Sequence, residues 1–209
     1  MIYWTLRNNC SKKWEKRFNS INQKIEHHPI IDLKLTKNYN HVQEKIPKFD
    51  AIIITSPFSA ENVIKIVKNK NIIFYTVGDR TKEILSQNKF KVLYKANNSK
   101  DLAKYINLKN EFKYLHLCSE RSNKSIWPNS VETFSIYKPK PNEKFKLNSD
   151  NIKQNSIIVF GSPSGIDEWF IKKIKFNKST IATMGETTKK QFLKYYNLPV
   201  ITPINSTND

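Results

Sequence analysis

Ile52-Ile53-Ile54-Thr55-Ser56-Pro57 is answered 106 residues later by Ile158-Val159-Phe160-Gly161-Ser162-Pro163. Each is an apolar run of strand length that ends in Ser-Pro, just before a segment with helical patterning. A second pair follows in step. Thr76-Val77-Gly78-Asp79-Arg80-Thr81-Lys82 matches Thr183-Met184-Gly185-Glu186-Thr187-Thr188-Lys189 at 107 residues, and Leu93 matches Ile201 at 108. So small a drift makes an internal repeat the economical explanation. The chain holds two similar α/β units.

Working outward, apolar strand-like runs alternate with amphipathic segments along the whole chain. Strands are predicted near 51–55, 72–77, 91–94, 114–118, 133–137, 157–160, 180–184 and 199–202, with helices in most of the gaps. At the N-terminus Ile2-Tyr3-Trp4 reads as a strand. Trp14, Phe18, Ile21 and Ile25 then recur at spacings of four, three and four, which predicts one face of a helix. Ile30-Ile31 and Leu33 read as the next strand. Alternation of this kind argues for an α/β fold with largely parallel sheets and right-handed crossovers.

The unit after residue 50 has five strand runs, but the one after 155 has three, too few for a stable sheet. Residues 1–34 would supply the missing pair. The expected organisation is a discontinuous domain of 1–34 plus 155–209, an inserted domain of 41–134, and linkers at 35–40 and 135–154. The polar stretches 35–48 and 138–154 read as the inter-domain connections.

Composition excludes several classes. With 209 residues, 38% hydrophobic and 12% aromatic, the chain can bury enough surface to fold. No apolar run approaches the ~20 residues needed to span a bilayer, and Met1 to Cys10 lacks the apolar core of a signal peptide, so a cytoplasmic protein is expected. Cys10 and Cys118 form no CxxC, and His27, His28, His41 and His116 show no HExxH or paired-ligand spacing, so no metal is expected. His27-His28 reads as a C-terminal helix cap. Cys118 sits in an apolar strand, where a free thiol is usually inert.

The formal net charge is +18, yet Lys, Asn and Ile together make up 82 of the 209 residues. These are residues of A/T-rich codons. Lys outnumbers Arg by 32 to 4, whereas selection for phosphate binding would favour Arg. Codon bias thus accounts for much of the charge. The remainder suits an anionic partner, either nucleic acid or a polycarboxylate or phosphate ligand.

Both repeats place Ser-Pro at the carboxyl end of a strand, where open parallel sheets bind ligands and where helix N–H groups donate to carboxylate or phosphate oxygens. Ser56, Ser59, Ser162 and Ser164 are candidate donors; plain helix capping is the competing reading. The turns at Gly78 to Thr81 and Gly185 to Thr188 follow the same logic. Of four glycines, Gly78, Gly161 and Gly185 fall at strand ends, where open φ or close approach is expected. Neither turn is a GxGxxG or GxxxxGK[ST], so dinucleotide and P-loop readings fail. Tyr137 closes the run Val131 to Ile136. It is placed either to pack or to donate a proton into a cleft.

In the order and spacing of these motifs the chain resembles the uroporphyrinogen-III synthase family over essentially its whole length. The carrying residues are Thr55-Ser56-Pro57, the turn ending at Thr81, Cys118 to Pro128, and Val131 to Tyr137. Phe160 to Gly165 and Met184 to Thr188 complete the set. The resemblance implies two flavodoxin-like α/β parallel-sheet domains joined by a two-stranded linker, the first discontinuous, with a cleft between them and no cofactor. It implies a monomeric hydro-lyase that cyclises hydroxymethylbilane, a linear tetrapyrrole polycarboxylate, with inversion of ring D and loss of water. It points to Tyr137 as the acid and Thr188 as a substrate contact. Ser56, Ser59, Gly78, Thr81, Ser119, Ser162, Ser164, Gly185 and Thr187 complete the expected substrate-binding set. Ser119 stands where many members carry Gly, and Lys82 and Lys189 where Ala is usual. No nucleic-acid or membrane partner is implied. The rival readings are an inactive synthase-like ligand-binding or regulatory protein, and a basic nucleic-acid-binding protein. The latter would need Lys and Arg gathered on one face among stacking aromatics, whereas here the Lys residues are scattered in sequence.

Overall fold

The computed structural model describes residues 1–109 and 111–202. These divide into two compact units, one of Met1–Asp32 with the chain from Lys140 onward, the other of Leu33–Pro139. The unit boundaries fall inside two strands, β3 (Ile31–Leu35) and β8 (Val131–Pro141), which are neighbours in one sheet.

The Leu33–Pro139 unit is built on a sheet of order β3-β8-β7-β4-β5-β6, with β4 (Ala51–Ile54), β5 (Ile73–Val77), β6 (Lys91–Ala96) and β7 (Tyr114–Ser119). From β8 to β6 all neighbours run parallel. Ala51 to Ile54 are all completely buried. A strand covered on both faces must be apolar at every position rather than at alternate ones, and this run is. Helices α3 (Pro57–Ile66), α4 (Asp79–Gln87) and α5 (Ser99–Lys109) make the crossovers. One core cluster gathers Ile52, Ile54, Val63, Phe74, Leu85, Leu115 and Leu117. A second, on Ile53, Tyr75, Leu102, Ile106 and Tyr114, covers the rest of the sheet.

The other unit carries a parallel sheet of order β11-β10-β9-β1-β2. Its strands are β1 (Ile2–Trp4), β2 (Ile25–His27), β9 (Ile157–Phe160), β10 (Thr180–Thr183) and β11 (Val200–Ile201), with helices α1 (Lys12–Ser20), α6 (Pro163–Ile171) and α7 (Glu186–Leu193). Trp169 is fully buried at the centre of its core, edge-on to Phe160 and stacked on Phe176. The two sheets share one topology, started at different points of the chain. β9, β10 and β11 correspond to β4, β5 and β6, which is the sequence repeat, while β1 and β2 stand where β7 and β8 stand in the other sheet.

Several local expectations need correction. Helix α1 stops at Ser20, because Asn22 takes a left-handed conformation (φ 55°) and the amides of Ile21, Asn22 and Gln23 turn back onto Phe18 and Asn19. Ile25 therefore opens β2 and pairs with Ile2, so His27 and His28 cap no helix; His28 instead lies 3.4 Å from Glu26. Ile31–Leu35 joins the sheet of β4 to β8, so the second N-terminal strand of the β9 sheet is β2, paired with β1 at the sheet's edge. The polar stretch 35–48 is mostly short helix, including α2 (Val42–Lys45), and Val42, Ile46 and Phe49 are buried in its unit's core. Their spacing of four and three is the helical signal that the surrounding Lys and Asn obscured. Leu147 and Ile152 are likewise buried, against Ile158 and Trp169.

Candidate functional site

In each sheet the chain order reverses once, and the carboxyl ends of the two strands beside such a reversal are the usual place for a ligand in open α/β sheets. In the Leu33–Pro139 unit those strands are β4 and β7; in the other they are β9 and β1. Each Ser-Pro repeat lies at such a point.

At the β4–β7 point, Ser56 caps α3 with extended backbone and accepts the Ser59 amide at 3.1 Å. Pro57 follows at the first helical position, where a missing N–H costs nothing. The Ser59 side chain is fully buried and donates to the Leu117 carbonyl at 2.8 Å, tying α3 to β7. Its hydroxyl proton is thus used within the fold. Tyr137, on β8, is 7% exposed and donates to Ser56 Oγ at 2.9 Å. The Phe58 ring meets it edge-on at 4.9 Å. Burial pushes the Tyr137 phenol up from its ordinary range, with the Ser56 contact working the other way.

Beside this pair, Thr55 Oγ1 lies 3.1 Å from His116 Nε2. His116 is 2% exposed, and its Nδ1 has no partner among the described residues. Burial, with a smaller contribution from the Lys124 charge, lowers its pKa to about 3, so the imidazole is neutral at ordinary pH. Burial also raises the Cys118 thiol, consistent with an inert side chain. Ser119 ends β7, where the register with β8 slips, and its Oγ accepts the Arg121 amide.

The glycine turns are capped differently. Gly78 precedes α4 with φ 79°, a conformation that favours glycine, and its amide is used on Ala96. Thr81 follows and is buried. In the other unit Ser162 caps α6 and accepts the Gly165 amide at 3.3 Å, while Ser164 is half-buried in the first turn. Gly185 precedes α7 in extended conformation; Thr187 is exposed and Thr188 is 4% exposed. Neither α4 nor α7 has a side-chain cap bond, in contrast to α3 and α6. Among the described residues, no cluster of three or more His, Cys, Asp and Glu is placed to hold a metal ion, and no helix is long and apolar enough to cross a membrane.

The family model for uroporphyrinogen-III synthase HemD matches residues 16–209. The chain belongs to the uroporphyrinogen-III synthase family. Among solved structures it is similar to the uroporphyrinogen-III synthetase of Helicobacter pylori, with 17% identity, a TM-score of 0.64, and 96% of this chain and 91% of that one covered. It is also similar to a mutant uroporphyrinogen III synthase from the extremely thermophilic bacterium Thermus thermophilus, with 9% identity and a TM-score of 0.58, covering 98% and 92% of the two chains. At these identities the structures establish a shared fold. No curated protein matches the sequence.

Within this synthase-family chain the structure brings Ser56, Ser59 and Tyr137 together at one strand end, and Ser162 and Ser164 into one helix turn. Thr55, Phe58 and His116 were not among the candidates. For two of them a signal was present: Thr55 stands next to the Ser-Pro repeat, and His116 is the one imidazole inside the apolar run 114–118.

Proposed function

We propose that this chain is a uroporphyrinogen-III synthase, cyclising hydroxymethylbilane with inversion of ring D and release of water. The family match over residues 16–209 carries the reading. The Tyr137–Ser56 hydrogen bond, at a strand end beside the sheet's reversal, supports it by supplying a proton donor where open α/β sheets take a ligand.

Departure of the terminal hydroxyl gives an azafulvene. The substituted carbon of ring D attacks it to form a spiro intermediate, which fragments and recloses as the inverted isomer. The protein has two tasks: to protonate the leaving hydroxyl, and to hold ring D against direct closure. Tyr137 is the proton source, since burial pushes its phenol above the ordinary range and so keeps it protonated at neutral pH. Hydroxyls of Ser56, Ser119, Ser162, Ser164 and Thr187, amides near Gly78 and Gly185, and neighbouring Lys side chains suit the substrate's carboxylates. Thr81 and Thr188 shape the turns that present these groups.

Hydroxymethylbilane closes unaided to the type I isomer, so the assay must resolve isomers. Supplied to the pure chain, it is expected to yield the type III product. Type I product alone, at the rate seen without protein, would overturn the reading.

A further inference from the structure

Ser56 Oγ sits where two hydrogen bonds meet, the Tyr137 hydroxyl arriving at 2.9 Å and the Ser59 amide at 3.1 Å. A serine oxygen offers two acceptor lone pairs and one proton. Both lone pairs are occupied, and among the described residues no acceptor receives the Ser56 proton. Tyr137 is arranged the opposite way. Its only proton points at Ser56, and its ring is sealed between Phe58 and the core. Ser56 is the more exposed of the two, at the carboxyl end of β4 beside the sheet's reversal. The proton available to a ligand there belongs to the serine.

We infer that Ser56 hands the proton to the departing hydroxyl, and that Tyr137 is a positioning and proton-supplying residue behind it. The inference rests on the synthase reading above. As the Ser56 O–H bond breaks, its proton passes to the oxygen of the substrate's hydroxymethyl group. The carbon–oxygen bond breaks with its electron pair on oxygen, water leaves, and the pyrrole ring carries the positive charge as an azafulvenium. In the same step the Tyr137 O–H bond breaks and its proton restores the Ser56 hydroxyl. The phenolate is then held by the hydroxyl it has just reloaded. Macrocycle closure later releases a proton from the attacked pyrrole carbon, which returns to Tyr137. No net proton is gained or lost, and the poor acidity of a lone alcohol ceases to matter because the phenol behind it is the effective acid.

Ser56→Asn retains a good helix cap but has no hydroxyl; Ser56→Thr retains both. Single-turnover rates of type III isomer formation, with proton inventories in mixed light and heavy water, test the relay on the full chain. Ser56→Thr should keep most of the rate, while Ser56→Asn should lose ~10²-fold or more with an unchanged melting transition. The double variant Ser56→Asn/Tyr137→Phe should be no slower than the slower single, because one relay is broken only once. The wild-type inventory should bow, with two protons in flight, and become linear in Tyr137→Phe. Full type III rates from Ser56→Asn, losses that multiply in the double variant, or a linear wild-type inventory would each overturn the relay and leave the synthase reading standing. A wild-type chain that yields only type I product overturns that reading instead, and the relay with it.

Discussion

A Cβ placed on Gly161 would stand 2.3 Å from Leu6 Cγ and 2.6 Å from Leu6 Cδ2. Leu6 follows β1 and Gly161 follows β9, the two strands that flank the reversal in their sheet. Glycine is needed here because the two chain segments nearly touch, not because of its backbone angles. Gly161→Ala should cost about 1–3 kcal/mol by overpacking. Leu6→Ala in the same chain should recover much of that loss, since it empties the contested space. Urea titration measures both, and an unchanged midpoint for Gly161→Ala would show that the leucine simply moves aside.

The three strand-end glycines show how far the sequence could be read. Rarity marked all three as special, but the reason differs at each. Gly78 needs its positive φ and Gly161 needs its missing Cβ. Gly185 needs neither, with extended backbone and nothing within 4 Å of a Cβ. The parallel α/β layers were legible because a strand covered on both faces must be apolar throughout, as Ala51–Ile54 is. Ile25 misled because apolar spacing carries no mark of chain reversal, and the left-handed residue that ends α1 is an Asn rather than a Gly. Tyr137 and Ser56 could each be picked out, but not their bond. They are 81 residues apart, and strand order alone brings them together.

His116 gives the molecule a pH-dependent stability. The unfolded imidazole takes a proton below about pH 6.5, while the folded one stays neutral down to about 3. Between those values the unfolded state binds more protons, so stability falls as pH falls, by about 1.4 kcal/mol per pH unit for this one group. Above pH 6.5 the group contributes no slope. His116→Gln should remove about one proton from the pH dependence of unfolding measured between pH 6 and 4.5. An identical slope in the variant would mean that the folded imidazole titrates normally.

Thr187 and Thr188 are adjacent in the first turn of α7 but face different surroundings, the first exposed and the second 4% exposed. A substrate carboxylate reaching this turn meets the Thr187 hydroxyl more readily. Thr187→Val should raise KM several-fold with little change in kcat, the signature of lost binding that is uniform along the reaction. Thr188→Val should act mainly through packing and leave KM within about twofold of wild type. Steady-state kinetics of type III formation separate them. A reversed ranking would return Thr188 to the role of direct substrate contact.

Tyr137→Phe isolates the hydroxyl, because a phenylalanine ring can keep the edge-on contact with Phe58 and the place of residue 137 in the core. The fold should lose only the bond to Ser56, about 0.5–1.5 kcal/mol, readable as a small shift in the urea midpoint. Activity should lose far more, ~10²–10⁴-fold in type III formation, the usual range for general acid assistance. Loss of packing would give the opposite proportions, with stability hit hard and activity falling only as unfolded protein accumulates. The pH profile adds an independent sign. An acid must be protonated to act, and burial raises this phenol above its ordinary value of about 10. The wild-type rate should therefore show no alkaline fall attributable to this group between pH 7 and about 9.5. A fall centred near neutrality that disappears in Tyr137→Phe would contradict the raised phenol. A wild-type type III rate in that variant would remove Tyr137 from the proton path altogether.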